Sequence, residues 1–262
     1  MRDSAVRVGL VYPDLLGTYG DRGNAVVLVE RCRRRGIDAE LVEVAAGTPI
    51  PESLDVYLFG GGEDDAQIRA AAGMRDSRAA IDRALTGGAA VFAVSAGFQL
   101  LGTTYEASDG EILDGLGLVD LSTRAGAGRL IGECVVEPAP SSGLPTLTGF
   151  ENHGGRTTLG PGIAPLGRVT VGHGNSVPDA SGTLVDGVLV EHILGTYLHG
   201  PALPRNAALA DHLLGWVLGL DAITPLTDPV AVIVAQLRSE RLAAAQLTGL
   251  AARRRDWHLN RG

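Results

Sequence analysis

The chain has 262 residues and a formal charge of −8, and its 22 basic residues are all arginine, with no basic stripe of the kind that grips nucleic acid. The absence of lysine excludes a Walker A loop and Schiff-base catalysis, so any ATP used through that motif belongs to another polypeptide. Asp3 and Asp14 interrupt any early apolar leader and Val230–Ala235 is far too short to span a bilayer, so a cytoplasmic location is expected.

In chain order, Val6–Tyr12 reads as a continuous apolar strand and Gly23–Arg35 as a helix whose arginines fall late, where cations suit the dipole. The Arg253–Arg255 run reads as another solvated helix end. Ala39–Val44 and Leu54–Phe59 read as strands, the second running into Gly60-Gly61-Gly62. Residues 63–86 are Ala-rich and predict helix, and Ala89–Val94 predicts the next strand. Strands alternating with helices indicate βαβ units: an α/β fold with a mostly parallel central sheet and helices on both faces, its sites at the carboxyl ends of the strands.

From about 110 to 195 the helical periodicity fades. Short β-prone runs at Leu130–Glu137, Leu166–Val171 and Val188–Glu191 predict antiparallel or mixed sheet growing off the parallel one. Helices return at Asn206–Leu220 and Pro229–Ala252. With no repeat, linker or break in composition, residues 1–262 are expected to form a single domain, with a core over 6–220 and a helical tail over 221–262. Cys32 and Cys134 lack metal-ligand spacing and read as two buried thiols outside any disulfide.

The chemistry is concentrated where Ala89–Val94 ends. Ser95 stands between small neighbours, Ala93 and Gly97, with a helix-like segment following: the layout of a nucleophile elbow. The alternative is a serine that merely caps its helix. Amides from the glycine turn near Gly61 and from Ala96 would form an oxyanion hole. His199, in Gly195-Thr-Tyr-Leu-His199-Gly200, ends another apolar run and is the candidate base, although a core-edge histidine bonded to a carbonyl would look the same. His153, in the glycine-rich cluster Gly149–Arg156, and His173, in a turn-like setting, are weaker candidates, and His192 also competes.

Phe92–Leu101 and Gly195–Gly200 resemble the class I (triad-type) glutamine amidotransferases of the CobB/CobQ branch, whose fold is flavodoxin-like. With Tyr19-Gly-Asp-Arg-Gly-Asn24, Arg129-Leu-Ile-Gly-Glu133 and Gly149-Phe-Glu-Asn-His-Gly-Gly-Arg156, the likeness narrows to the GatD-like glutaminase subunits of lipid II isoglutaminyl synthases. The resemblance implies that the residue at 95 attacks the carboxamide of glutamine, with His199 as base and then acid. It implies that Arg129 pairs with the substrate α-carboxylate and that Gln99, one helical turn past the nucleophile, supports the site. It implies no cofactor in this chain, with ATP and magnesium on a MurT-like ligase that forms a heterodimer with it.

Two departures accompany the likeness. Many class I members carry Pro-Glu after the histidine, the glutamate orienting the ring; Gly200-Pro201 stand here, so the acid is expected from the partner. Those enzymes also carry cysteine where this chain has Ser95, which reads as an introduced Cys→Ser change, with a natural pseudo-enzyme as the alternative. Two other functions stay open: a serine hydrolase using Ser95 and His199 with an intervening acid such as Asp186, and a non-catalytic glutamine sensor. The Tyr19–Asn24 loop is a candidate partner contact.

Overall fold

The computed structural model describes residues 4–18 and 20–259, with side chains described as far as Leu247. Tyr19 and the side chains of Arg253–Arg255 lie outside the described residues. The first half of the chain supplies strands β1 (Val6–Val11), β2 (Ala39–Val44), β3 (Val56–Phe59) and β4 (Ala90–Val94). Helices α1 (Arg22–Arg33), α2 (Asp64–Asp76), α3 (Arg78–Thr86) and α4 (Ala96–Leu100) alternate with them. Every residue of β3 and β4 is buried, as expected of apolar parallel strands covered on both sides. Their period of two sends Val56, Leu58, Phe92 and Val94 to the side of α1, and Tyr57, Phe59, Val91 and Ala93 to the side of α2 and α3.

The middle of the chain builds β5 (Thr104–Glu106), β6 (Ile112–Asp114), β7 (Leu121–Pro138), β8 (Leu147–Leu159), β9 (Gly167–Val171) and β10 (Val185–Asp186). These form a sheet of their own, in the order β10-β9-β7-β5-β6 with β8 also paired to β7, rather than an extension of the first sheet. The chain then returns with β11 (Val188–Val190) and β12 (Ile193–Thr196), which complete a first sheet ordered β11-β12-β4-β3-β1-β2. All its neighbours are parallel except the β11–β12 edge. The two sheets meet where Phe150 and His199 exchange backbone hydrogen bonds of 3.1 and 2.8 Å.

Helices α5 (Ala202–Arg205) and α6 (Ala207–Leu218) pack beside α1, and Arg31 grips Asp211 of α6 through two bonds of 2.7 and 2.6 Å. The last helix, α7 (Pro229–Leu259), lies against β7, β8, β9 and α5. It buries Ala245 and leaves Val230, Ile233 and Leu237 exposed. Among the described residues no helix is long and apolar enough to cross a membrane. Cys32 and Cys134 are both buried, and burial pushes the Cys134 thiol well up.

Two further differences from expectation have local causes. Residues 63–86 form two helices rather than one, broken at Ser77, whose hydroxyl donates to Gly73 O (3.1 Å) and accepts from Ile50 N (3.0 Å). The Gly149–Arg156 cluster, not among the β-prone runs expected, lies within strand β8, and its His153, Gly154 and Gly155 line the cleft that holds Ser95. Its inward positions hold Glu151 and His153, buried by hydrogen bonding rather than by apolar character, so the alternation is invisible to hydropathy.

Candidate active site

Ser95 is the turning point between β4 and α4. Its backbone sits at φ 53° and ψ −111°, in the half of φ space that side chains ordinarily avoid. Such a conformation persists only where the surroundings over-determine it. Ser95 N–H donates to Thr196 O (2.9 Å), carrying the β4–β12 pairing one residue further, and Gly97 N–H donates to Gly60 O (3.0 Å). A Cβ at Gly97 would lie 2.5 Å from Phe59 O, so only glycine lets α4 begin this close to the end of β3. The hydroxyl makes no capping bond to α4. The serine is therefore held up by the elbow and is not spent as a helix cap.

Beside it lies the turn after β3. Gly61 N–H donates to the buried carboxylate of Asp21 (2.7 Å), and Gly61 O accepts from Thr18 N (3.3 Å). This corrects the expectation for Gly61, whose amide is already engaged. The amides of Gly62 and Ala96 make no hydrogen bond among the described residues, and both residues line the same cleft as Ser95. Beside Ser95 it is these two amides, rather than that of Gly61, that are left for an acceptor. Asp21 is pushed up to about 6 by its burial, with the Gly61 hydrogen bond opposing the rise.

The opposite wall comes from the second sheet. The β7–β8 pairing slips register between Ala125 and Leu130, and Gly126, Gly128 and Arg129 from this irregular stretch line the cleft. The exposed Arg129 guanidinium is anchored on Asn152, through Oδ1 (2.9 Å) and the carbonyl (3.0 Å). Gln99 forms part of the floor: it accepts from Gln67 (2.8 Å) and donates to the Tyr197 hydroxyl (3.2 Å), which also bonds Thr157 (2.7 Å). The cleft encloses about 230 Å³, the scale of an amino acid rather than a nucleotide. A larger groove of about 1010 Å³ runs past Asp55, Ala89 and Trp216 at the amino ends of the strands, away from the elbow.

His199 is 1 % exposed and does not line the cleft, which is lined instead by His153. Burial pushes the His199 imidazole down to about 3, and the neighbouring His153 and Arg129 push the same way, so at neutral pH it is an uncharged base. The His153 ring stacks on Tyr197 (3.6 Å between centroids, 13° apart), with Nδ1 3.0 Å from Gly155 O and Nε2 3.9 Å from Glu151. Burial opposes the charge on Glu151, but nearby His153 and the hydrogen bonds from His173 and Gly174 outweigh it and keep the carboxyl below its ordinary range. The Asp186 carboxylate accepts from the Thr196 hydroxyl (2.5 Å) and from Tyr197 N–H (3.2 Å), and burial raises it to about 7.

Four of the six residues chosen from the sequence line one cleft, Ser95, Ala96, Gln99 and Arg129, whereas the buried His199 and Gly61 do not. Sequence reasoning missed Gly62 and the anchoring roles of Asp21, Asn152 and Glu151. All of them fall inside motifs already singled out, Gly62 in the glycine turn after β3, so the signal was present without its meaning.

Residues 7–207 match the family described as the CobB/CobQ-like glutamine amidotransferase domain. The chain is 37% identical over 202 residues to the GatD subunit of lipid II isoglutaminyl synthase (glutamine-hydrolyzing) from Staphylococcus aureus, covering 77% of this chain and 79% of that one. It is 33% identical over 211 residues to the corresponding Streptococcus pneumoniae subunit, covering 80% and 79%. A solved glutamine amidotransferase superposes with a TM-score of 0.52 at 19% identity, covering 80% of this chain and 98% of that one. PurLQS from Thermotoga maritima also gives 0.52, at 15% identity and 82% and 99% coverage, which supports the fold alone. Matched by the family model over residues 7–207 and more than 30% identical to two relatives over most of its length, the chain belongs to the CobB/CobQ-like glutamine amidotransferase family.

Proposed function

We propose that this chain is the glutaminase subunit of a lipid II-amidating enzyme. The nucleophile at 95 attacks the carboxamide carbon of L-glutamine while His199 removes its proton. The tetrahedral oxyanion is met by the Gly62 and Ala96 amides, and Arg129 pairs with the α-carboxylate. His199 returns the proton to the leaving ammonia, and water releases glutamate from the acyl-enzyme. The ammonia passes to a separate ATP- and magnesium-dependent MurT-like ligase, which amidates the α-carboxyl of D-glutamate in the lipid II stem peptide. The observation that carries this reading is the strained, uncapped Ser95 beside two unspent amides in one amino-acid-sized cleft.

The partner has a physical rationale as well. A histidine pushed down to about 3 is neutral, as a base must be, but holds a proton poorly. A carboxylate brought up by a second subunit would stabilise the imidazolium. Ser95 limits the chain as written, because a hydroxyl is not driven to its anion by a neighbouring histidine as a thiol is. The test is glutamine hydrolysis by the Ser95→Cys variant together with its ligase subunit. Glutamate release that depends on the substitution supports the reading. No gain over the serine form, or fluorophosphonate labelling of Ser95, would sink it, the latter in favour of a serine hydrolase.

A further inference from the structure

Asp21 stands at the position just before α1, where an aspartate ordinarily caps its own helix. It does not do so: α1 receives no side-chain capping bond from it. The carboxylate instead turns to Gly61, forty residues further on, and meets its N–H at 2.7 Å. Its other oxygen is 3.3 Å from the Asn24 amide nitrogen, and the residue is 2 % exposed. A carboxylate withdrawn from its helix and buried against a single backbone amide needs a reason beyond folding.

The peptide planes of the glycine turn give one. In a trans peptide the C=O and the following N–H point in opposite directions. Gly60 O accepts from Gly97 N (3.0 Å) at the start of α4, so the next N–H, that of Gly61, is directed away from α4, toward Asp21. Gly61 O is held by Thr18 N (3.3 Å), so the Gly62 N–H must point away from Thr18. Gly62 lines the cleft with Ser95. The direction of the free amide is thereby set by its two neighbours, and Asp21 holds one of them.

The turn is also wrapped tightly. A Cβ at Gly60 would lie 2.0 Å from Leu16 O and 2.9 Å from Asp21, and one at Gly62 would lie 2.8 Å from Leu15 O. The same short motif reaches the base side of the site. Asn24 accepts from Leu203 N (2.9 Å), and Gly23 packs against Pro201, so Asp21–Asn24 clamps both the glycine turn and the segment after His199.

We propose that Asp21 is a positioning residue for the glutaminase reaction, holding the Gly60–Gly62 turn so that the Gly62 amide faces the nucleophile. This assignment rests on the glutaminase reading above. Glutamine hydrolysis is measured in the Ser95→Cys parent with its ligase subunit, and in the same background carrying Asp21→Ala or Asp21→Asn. Loss of one oxyanion donor costs roughly 10²–10³ in kcat. Asp21→Ala is therefore expected to lower kcat by about 100-fold while KM moves less than about threefold. Asp21→Asn, nearly isosteric and free of a buried charge, should melt no lower than the parent and still slow turnover by about tenfold; a purely structural residue would shift rate and melting together. An active parent whose two variants keep kcat within about threefold overturns the role of Asp21 alone. A parent that hydrolyses no glutamine overturns the glutaminase reading, and this role with it.

Discussion

The two walls of the cleft work by different physics. On the side of the parallel sheet, the functional groups are backbone amides and one strained residue, fixed by glycines in van der Waals contact with neighbouring carbonyls. On the side of the second sheet, they are long polar side chains, with Arg129 exposed on an irregular stretch of β7 and steadied by Asn152. Backbone geometry suits charge that develops only during a reaction, because it needs no reorganisation. A guanidinium suits a charge the ligand already carries. The first wall should therefore govern turnover and the second affinity.

The largest effect expected is at the nucleophile. Ser95→Cys should raise glutamine hydrolysis by on the order of 10³-fold or more, by comparison with losses from removing such a group. A smaller gain would show that the backbone wall is not set for this chemistry.

Gly97→Ala comes next. Its added Cβ meets the Phe59 carbonyl at 2.5 Å, backbone that cannot swing aside, so a loss of about 3 kcal/mol is expected from overpacking, read as a lower denaturant midpoint together with lost turnover in the Ser95→Cys background. Full stability would mean that α4 can retreat from β3, and the rigid-wall description would fail.

Arg129→Ala should leave melting almost unchanged, as for other exposed positions. It should raise the KM for glutamine by about 10–100-fold, the worth of a charge-assisted pair. Arg129→Lys should recover only part of this, since the fork is lost. If kcat falls and KM stays, the division of labour between the walls is wrong.

The smallest effect is a pH slope. The folded His199 sits near 3, below the ordinary imidazole value of about 6.5. The unfolded chain therefore takes up a proton first as pH falls. The contribution is fully present above about 6.5 and is lost progressively toward 3. His199→Gln should flatten the decline in denaturant midpoint between pH 7 and pH 4.5; an unchanged slope would mean the ring is not held neutral by burial.

Much of the backbone wall was legible in the sequence, because its signals are local. An apolar run, a nucleophile and small flanking residues mark the β4–α4 elbow within a dozen positions. What stayed hidden depends on distant partners. Gly61 and Gly62 are indistinguishable in sequence, and the amide that is engaged, that of Gly61, is taken up by Asp21 far upstream. The second sheet was illegible in a different way. Strand β8 buries Glu151 and His153 through hydrogen bonds, so the usual apolar alternation is replaced by polar residues that resemble a loop. Ser77 likewise breaks the 63–86 helix through bonds to Ile50 and Gly73 that composition does not announce.

The exchange of hydrogen bonds between Phe150 and His199 has a mechanical consequence. It acts as a spot weld, registering the main chain of His199 to the second sheet, while Thr196, three residues earlier, is registered to β4, the strand that leads into Ser95. The spacing between the main chains of Ser95 and His199 is then set by how the two sheets are joined. Strain applied to either sheet therefore shifts these two residues relative to each other.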